Sequence, residues 1–151
     1  MDWLADGISA TYLIVFPLCV WRQDWATLAA VIATVGGVVA LKRATESYAW
    51  GQRPVGAYGC GPFCDGGVAS GAPGFPSGHV ATVAAFVAAG GVGSRVGVPW
   101  VAAMAWARMA KRCHSPLQVA AGGLFGFLTG GAATLITGAP RLSAPAGAGA
   151  A

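Results

Sequence analysis

An all-α integral membrane bundle of about five transmembrane helices, with one long glycine-rich loop, is the fold that this sequence predicts. Only 9% of its 151 residues are charged while 56% are apolar, and the mean hydropathy is positive, a balance typical of chains that live in lipid. Apolar runs of nearly bilayer length recur between short polar breaks. Residues 44–76 interrupt that pattern with many glycines, with Pro54, Pro62 and Pro73, and with most of the polar groups. The net charge of +4 comes from scattered basic residues without interleaved aromatics, which argues against nucleic acid as a partner.

The elements follow in order. Residues 8–21 are apolar and end at Arg22-Gln23-Asp24. This run falls short of the roughly 20 residues a span needs, so the helix is expected to extend back toward Trp3, to tilt, or to carry Asp6 near the interface. Pro17 is expected to kink it. The start lacks the positive region of a secretory signal, so no cleaved peptide is expected. Residues 25–41 make a second span, rich in small residues and closed by Lys42 and Arg43. The loop at 44–76 must lie outside the hydrocarbon, and a loop of this length wedged between spans is expected to fold over a site. Residues 80–93 read as the third span, Gly93-Ser94-Arg95 as a turn, 96–109 as the fourth span and 117–138 as the fifth. Residues 1–138 thus form one membrane domain, and 139–151, mostly Ala, Gly, Pro and Ser, a disordered tail.

Five crossings bring the chemistry to one membrane face. The loop, the start of the third span and the junction between the fourth and fifth carry Lys42, Arg43, Arg53, His79, Arg108 and His114. At Pro76-Ser77-Gly78-His79 a glycine-rich run meets an apolar one. Backbone N–H groups exposed at a helix N-terminus make an anion site, and His79 at its lip is a group suited to proton transfer. The alternative is a serine that only caps a helix, beside a bystander histidine. Arg108 and His114 would point apart on one continuous helix, so a bend at His114-Ser115-Pro116 is expected to bring them together.

Arg53-Pro54, Pro76-Ser77-Gly78-His79 and Arg108-x5-His114 together resemble the signature segments of the type 2 phosphatidic acid phosphatase and vanadium haloperoxidase superfamily, over roughly residues 42–123. The resemblance implies His114 as the nucleophile that becomes a phosphohistidine and His79 as the acid that protonates the leaving oxygen. It implies Arg53, Arg108, Ser77 and the Gly78 N–H as phosphate ligands. The chemistry suits those residue types, because arginine's planar fork can donate to two phosphoryl oxygens at once. The five acidic residues are dispersed, with no pair spaced to clamp a metal ion, so no cofactor is expected.

Two positions depart from the family pattern. The family usually has lysine seven positions before the arginine of Arg-Pro, where this chain has Glu46; Lys42, eleven before Arg53, is the expected substitute. Its alternative is that Lys42 and Arg43 are interfacial anchors. Gln118 stands where aspartate normally orients the nucleophile, as in the glucose-6-phosphatase and dolichyl-diphosphatase branches, and a glutamine carbonyl can fix the same tautomer. Cys60 and Cys64 read as a free or disulfide-linked loop pair, or, with Cys113 and a histidine, as a zinc site. The tryptophans read mostly as interface anchors and Asp65 as a solvated turn residue. The function so implied is hydrolysis of a lipid phosphate or polyprenyl diphosphate at the surface of an unidentified membrane. Gln118 and the compact size lean toward the diphosphate. A non-catalytic membrane protein binding phosphorylated lipids and a vanadate-dependent haloperoxidase are the rivals.

Overall fold

The computed structural model describes residues 2–60, 67 and 69–138. Cys64, Asp65 and the tail at 139–151 lie outside the described residues. Helices α1 (Asp2–Ala10) and α2 (Val15–Trp21) are joined without a break by a 3₁₀ turn at Thr11–Ile14. Together they extend the first apolar run back to Trp3, giving a stretch of 19 residues, long enough to cross a membrane. The 3₁₀ turn lies just ahead of Pro17, which has no N–H for the Leu13 carbonyl and whose ring crowds it. Helix α3 (Trp25–Thr45) is capped by Asp24, whose carboxylate accepts from the Thr27 N–H at 3.1 Å. Helices α4 (Gly78–Ala88), α5 (Ser94–Ala110) and α6 (Pro116–Thr137) complete an all-α membrane bundle; α3 and α6 are also long and apolar enough to span.

The third apolar run forms a helix shorter than the stretch 80–93 that its hydropathy marks. Helix α4 has 11 residues, about 16 Å of rise, roughly half the hydrocarbon thickness. Residues Val80 to Phe86 are all buried, so α4 is the centre of the bundle, enclosed by α3, α5 and α6. A helix apolar on every side belongs in a core as readily as in lipid. It stops before Gly90, which adopts φ 87°, and the turn is tied down by Thr27, whose hydroxyl donates to the Ala89 carbonyl at 3.3 Å.

Helix α6 lies on α4 through a seam of small residues. Gly122, Gly126 and Gly130, one turn apart, sit over the carbonyls of Ser77, Ala81 and Ala85, which are also one turn apart. A Cβ at any of the three glycines would press on backbone, so the close approach depends on them. This seam fixes the start of α4 relative to the start of α6, where both histidines lie.

Candidate active site

The described parts of the long loop form a strap. Its two arms meet where Gln52 pairs with Pro73 as an isolated bridge and the Arg53 N–H donates to the Ala72 carbonyl at 2.8 Å. The N–H groups of Gly74 and Phe75 both donate to the Gly51 carbonyl. Lys42, in the last turn of α3, donates to the Pro73 carbonyl at 3.2 Å. The strap thereby holds Arg53 and the Pro76-Ser77-Gly78-His79 turn against the ends of α3 and α6.

Gln118 organises the site from beneath. Its amide nitrogen donates to two carbonyls, Trp50 at 3.1 Å and Gln52 at 2.7 Å, which can only accept. That pins its Oε1 toward His114, where it receives the Ser115 N–H at 3.3 Å and faces His114 Nδ1 at 3.2 Å. An amide oxygen cannot donate, so Nδ1 carries the proton and the lone pair of His114 sits on Nε2. Ser115 and Gln118 also form a capping box on α6, with Pro116 as the first residue of that helix. A Cβ at Gly74 would reach 2.8 Å from Gln118 Oε1, so glycine leaves room for this network.

A cavity of about 340 Å³ opens above these groups. Lys42, Arg53, Gly78, His79 and His114 line its polar end, with the Tyr12 ring against His79; Val35, Val38 and Val39, one to two turns back along α3 from Lys42, line its apolar end. Arg108 and Ser77 are fully buried and lie outside that lining. Arg108 Nη2 donates to the Cys60 carbonyl at 3.0 Å, and Arg53 Nη1 to the Cys113 carbonyl at 3.4 Å. The Ser77 hydroxyl caps nothing: neither it nor His79 Nε2 has a hydrogen-bond partner among the described residues. The Ser77 N–H donates to the Gln118 carbonyl at 2.9 Å.

Several expectations change here. Cys60 is bonded to Cys113, 53 positions away, and not to Cys64, so neither thiol is available to a zinc ion. The bridge joins the strap to the residue before His114 and links the two carbonyls that the arginines grip. In the chain-entropy picture a closure of that length stabilises by roughly 4 kcal/mol. The chain reverses between α5 and α6 through Arg112, at φ 54°, before Pro116 is reached, and Cys113 and His114 both donate to the Arg108 carbonyl. Pro116 starts a helix; the bend precedes it. Trp100 is half-buried and donates to Thr11 at 2.8 Å, so it is a packing residue and not an interface anchor. Glu46 is exposed just beyond the end of α3, while Lys42, one turn earlier, reaches the cavity; Arg43 beside it is exposed. Lys111 pairs with Asp6 and donates to the Gly59 carbonyl, tying α1 to the same end of the bundle. Tyr12 and Thr82 line the cavity although no motif marks them.

Burial first, then the charges of Arg53, Arg108 and Lys42, hold the His114 imidazole well below its usual range, against a smaller opposing effect of the Gln118 hydrogen bond. The folded protein leaves His114 neutral where the unfolded chain would protonate it. Its contribution to stability is therefore complete above about pH 6.5 and declines as pH falls below that, by up to about 1.4 kcal/mol per unit. The melting temperature in detergent should drop on acidification. His114→Asn, which keeps a donor toward Gln118 but cannot titrate, should flatten that slope; an unchanged slope would contradict the assignment.

The arrangement gathers two cations and two imidazoles around one cavity, a setting suited to an anion. No curated protein and no solved structure matches the chain. A family profile described as the PAP2 superfamily matches residues 23–141, which span α3 to α6 and every group at the polar end of the cavity. With that match over most of its length, the chain belongs to the PAP2 superfamily.

Proposed function

We propose that this protein is a membrane phosphatase that hydrolyses a lipid phosphate or polyprenyl diphosphate through a phosphohistidine at His114. The observation that carries the reading is the contact of Gln118 Oε1 with His114 Nδ1, which leaves the lone pair on Nε2 of a residue that lines one cavity with Lys42, Arg53 and His79. Nε2 attacks phosphorus, the bond to the leaving oxygen breaks, and His79, protonated when the bound phosphate's negative charge offsets the surrounding cations, gives that oxygen its proton. Neutral His79 then takes a proton from water as it attacks the phosphohistidine, the P–N bond breaks, and inorganic phosphate leaves with both histidines restored. Lys42, Arg53, Arg108, Ser77 and the Gly78 N–H hold the phosphoryl oxygens as charge shifts among them. Gln118 keeps the nucleophile oriented.

The apolar end of the cavity supports an aliphatic substrate, because Val35, Val38 and Val39 lie one to two turns along α3 from Lys42 and Val39 is 44% exposed on the bundle's surface. A phosphate at the cationic end would leave its tail directed toward lipid. The Cys60–Cys113 disulfide supports a site that opens on the oxidising side of its membrane. No cofactor enters the scheme, since the charged lining is cationic and would repel a metal ion.

Phosphate release by the purified protein from lipid monophosphates, polyprenyl diphosphates and sugar phosphates tests this reading. Release from one of the lipid substrates should survive EDTA and be inhibited by vanadate, which adopts the five-coordinate geometry of the transferring group. Activity lost with EDTA and restored by Mg²⁺ or Zn²⁺ would overturn the metal-independent mechanism. Binding without turnover would favour a lipid-binding scaffold, and vanadate-dependent halide oxidation would favour a haloperoxidase.

A further inference from the structure

We propose that Tyr12 positions His79 for proton transfer, which makes the first membrane helix part of the reaction machinery; this rests on the reading of His79 as the acid and base. The two rings meet with centroids 4.3 Å apart and planes inclined at 60°, and both line the cavity. The two histidines are held differently. Gln118 grips His114 by a hydrogen bond, whereas His79 Nε2 has no partner among the described residues, so the packed Tyr12 ring restrains that imidazole.

The backbone around Tyr12 is built to bring it there. Pro17 leaves the Leu13 carbonyl without its helical donor, and the chain tightens into the 3₁₀ turn Thr11–Ile14. That turn is fastened by Thr11, whose hydroxyl accepts from Trp100 Nε1 at 2.8 Å and donates to the Ile8 carbonyl at 2.7 Å. Trp100 in turn packs edge to face on Phe86 of α4, the helix that carries His79. The irregular turn is thus clamped to both α5 and α4, and Tyr12 is the residue it turns into the cavity.

The chemistry fits the position. Burial first, then Arg108, Arg53, Lys42 and Lys111, oppose the charged form of His79, which the negative charge of a bound phosphate would offset; His114 shares its cavity. A side chain hydrogen-bonded to the imidazole nitrogens would compete with the leaving oxygen or the water for them. An aromatic ring instead restrains the imidazole by contact, leaves its nitrogens available, and accommodates it both neutral and charged, the two forms it visits in each turnover.

The test compares Tyr12→Leu, Tyr12→Phe, His79→Ala and the double variant Tyr12→Leu/His79→Ala on nitrophenyl phosphate and on a lipid phosphate. His79→Ala should lose about 10²–10⁴-fold on the lipid phosphate and much less on the nitrophenyl ester, whose leaving group needs little protonation. Tyr12→Leu should lose in the same pattern by about 10-fold or more on the lipid phosphate, within that general-acid range. Tyr12→Phe, which keeps the ring, should recover most of the loss, and the double variant should be no slower than His79→Ala alone. Equal losses on both substrates for Tyr12→Leu, or a further loss in the double variant, would overturn the role of Tyr12. A His79→Ala variant with no leaving-group dependence would instead overturn the reading of His79. Should leucine prevent folding, Tyr12→Met, flexible and ringless, takes its place with the same outcomes.

Discussion

His114→Asn is expected to abolish turnover of every substrate, whereas His79→Ala is expected to spare those with good leaving groups. Asparagine keeps a side-chain N–H toward Gln118 Oε1, so the capping box and the start of α6 should survive while the attacking lone pair is gone. The loss is then chemical, not structural, and should bring all substrates to the background of the assay. Removing His79 leaves the nucleophile and the cations in place. What it removes is the proton for the leaving oxygen, worth roughly 10²–10⁴ in rate when that oxygen is a strongly basic alkoxide. A nitrophenolate needs little such help, and the leaving phosphate of a diphosphate substrate falls between. Steady-state rates of both variants on the three kinds of ester should show this ordering. Residual turnover in His114→Asn, or a flat loss across esters in His79→Ala, would mean that the two roles are assigned wrongly.

Gly126→Val should destroy the fold, while Gly131→Ala should strengthen it slightly. A Cβ at Gly126 would press on the Ala81 carbonyl with Ala84 also in reach, and backbone inside a buried helix cannot swing aside as a side chain can. Overpacking typically costs about 1–3 kcal/mol where neighbours can adjust. Here the seam holds the start of α4 against the start of α6, so separating them also parts Ser77 from the Gln118 carbonyl and loosens the site. Around Gly131 nothing lies within 4 Å, and an alanine there should gain roughly 0.8–1.0 kcal/mol of helix propensity. Melting temperature and the monodisperse fraction in detergent should separate the two variants clearly. Equal behaviour of the pair would show that the seam does not hold the bundle together.

Hydropathy revealed the bundle but not which helix is its centre. Residues 80–93 are apolar on every side, and a buried helix and a lipid-facing one satisfy that pattern equally. What distinguishes α4 is its partner: glycines spaced by four on α6 facing Ser77, Ala81 and Ala85, a periodicity visible in the chain once the two segments are set side by side. The polar groups were easier. Crossing parity and three short motifs point His79, His114, Arg53 and Arg108 to one end of the bundle; the cavity there is lined by the first three and by Lys42, while Arg108 is buried outside its lining. The Cys60–Cys113 bridge was not legible, because it joins positions 53 apart and no spacing rule selects it over Cys60–Cys64. Nor was Tyr12, whose place depends on how far Pro17 and Trp100 rotate one irregular turn. Gln118 was visible as a departure from aspartate; its two donated hydrogen bonds to Trp50 and Gln52, which aspartate could not make, emerge only from the folded strap.

The most direct measurement is to trap the covalent intermediate in His79→Ala with nitrophenyl phosphate. Its leaving group departs without an acid, but water then lacks the base that His79 provides, so the phosphoenzyme should accumulate. An alkaline quench followed by peptide mass spectrometry should find one phosphoryl group on His114, stable in base and lost in acid, as a phosphoramidate is. A phosphoryl group on any other residue, or phosphate release with none bound at any time during a single turnover, would contradict the account.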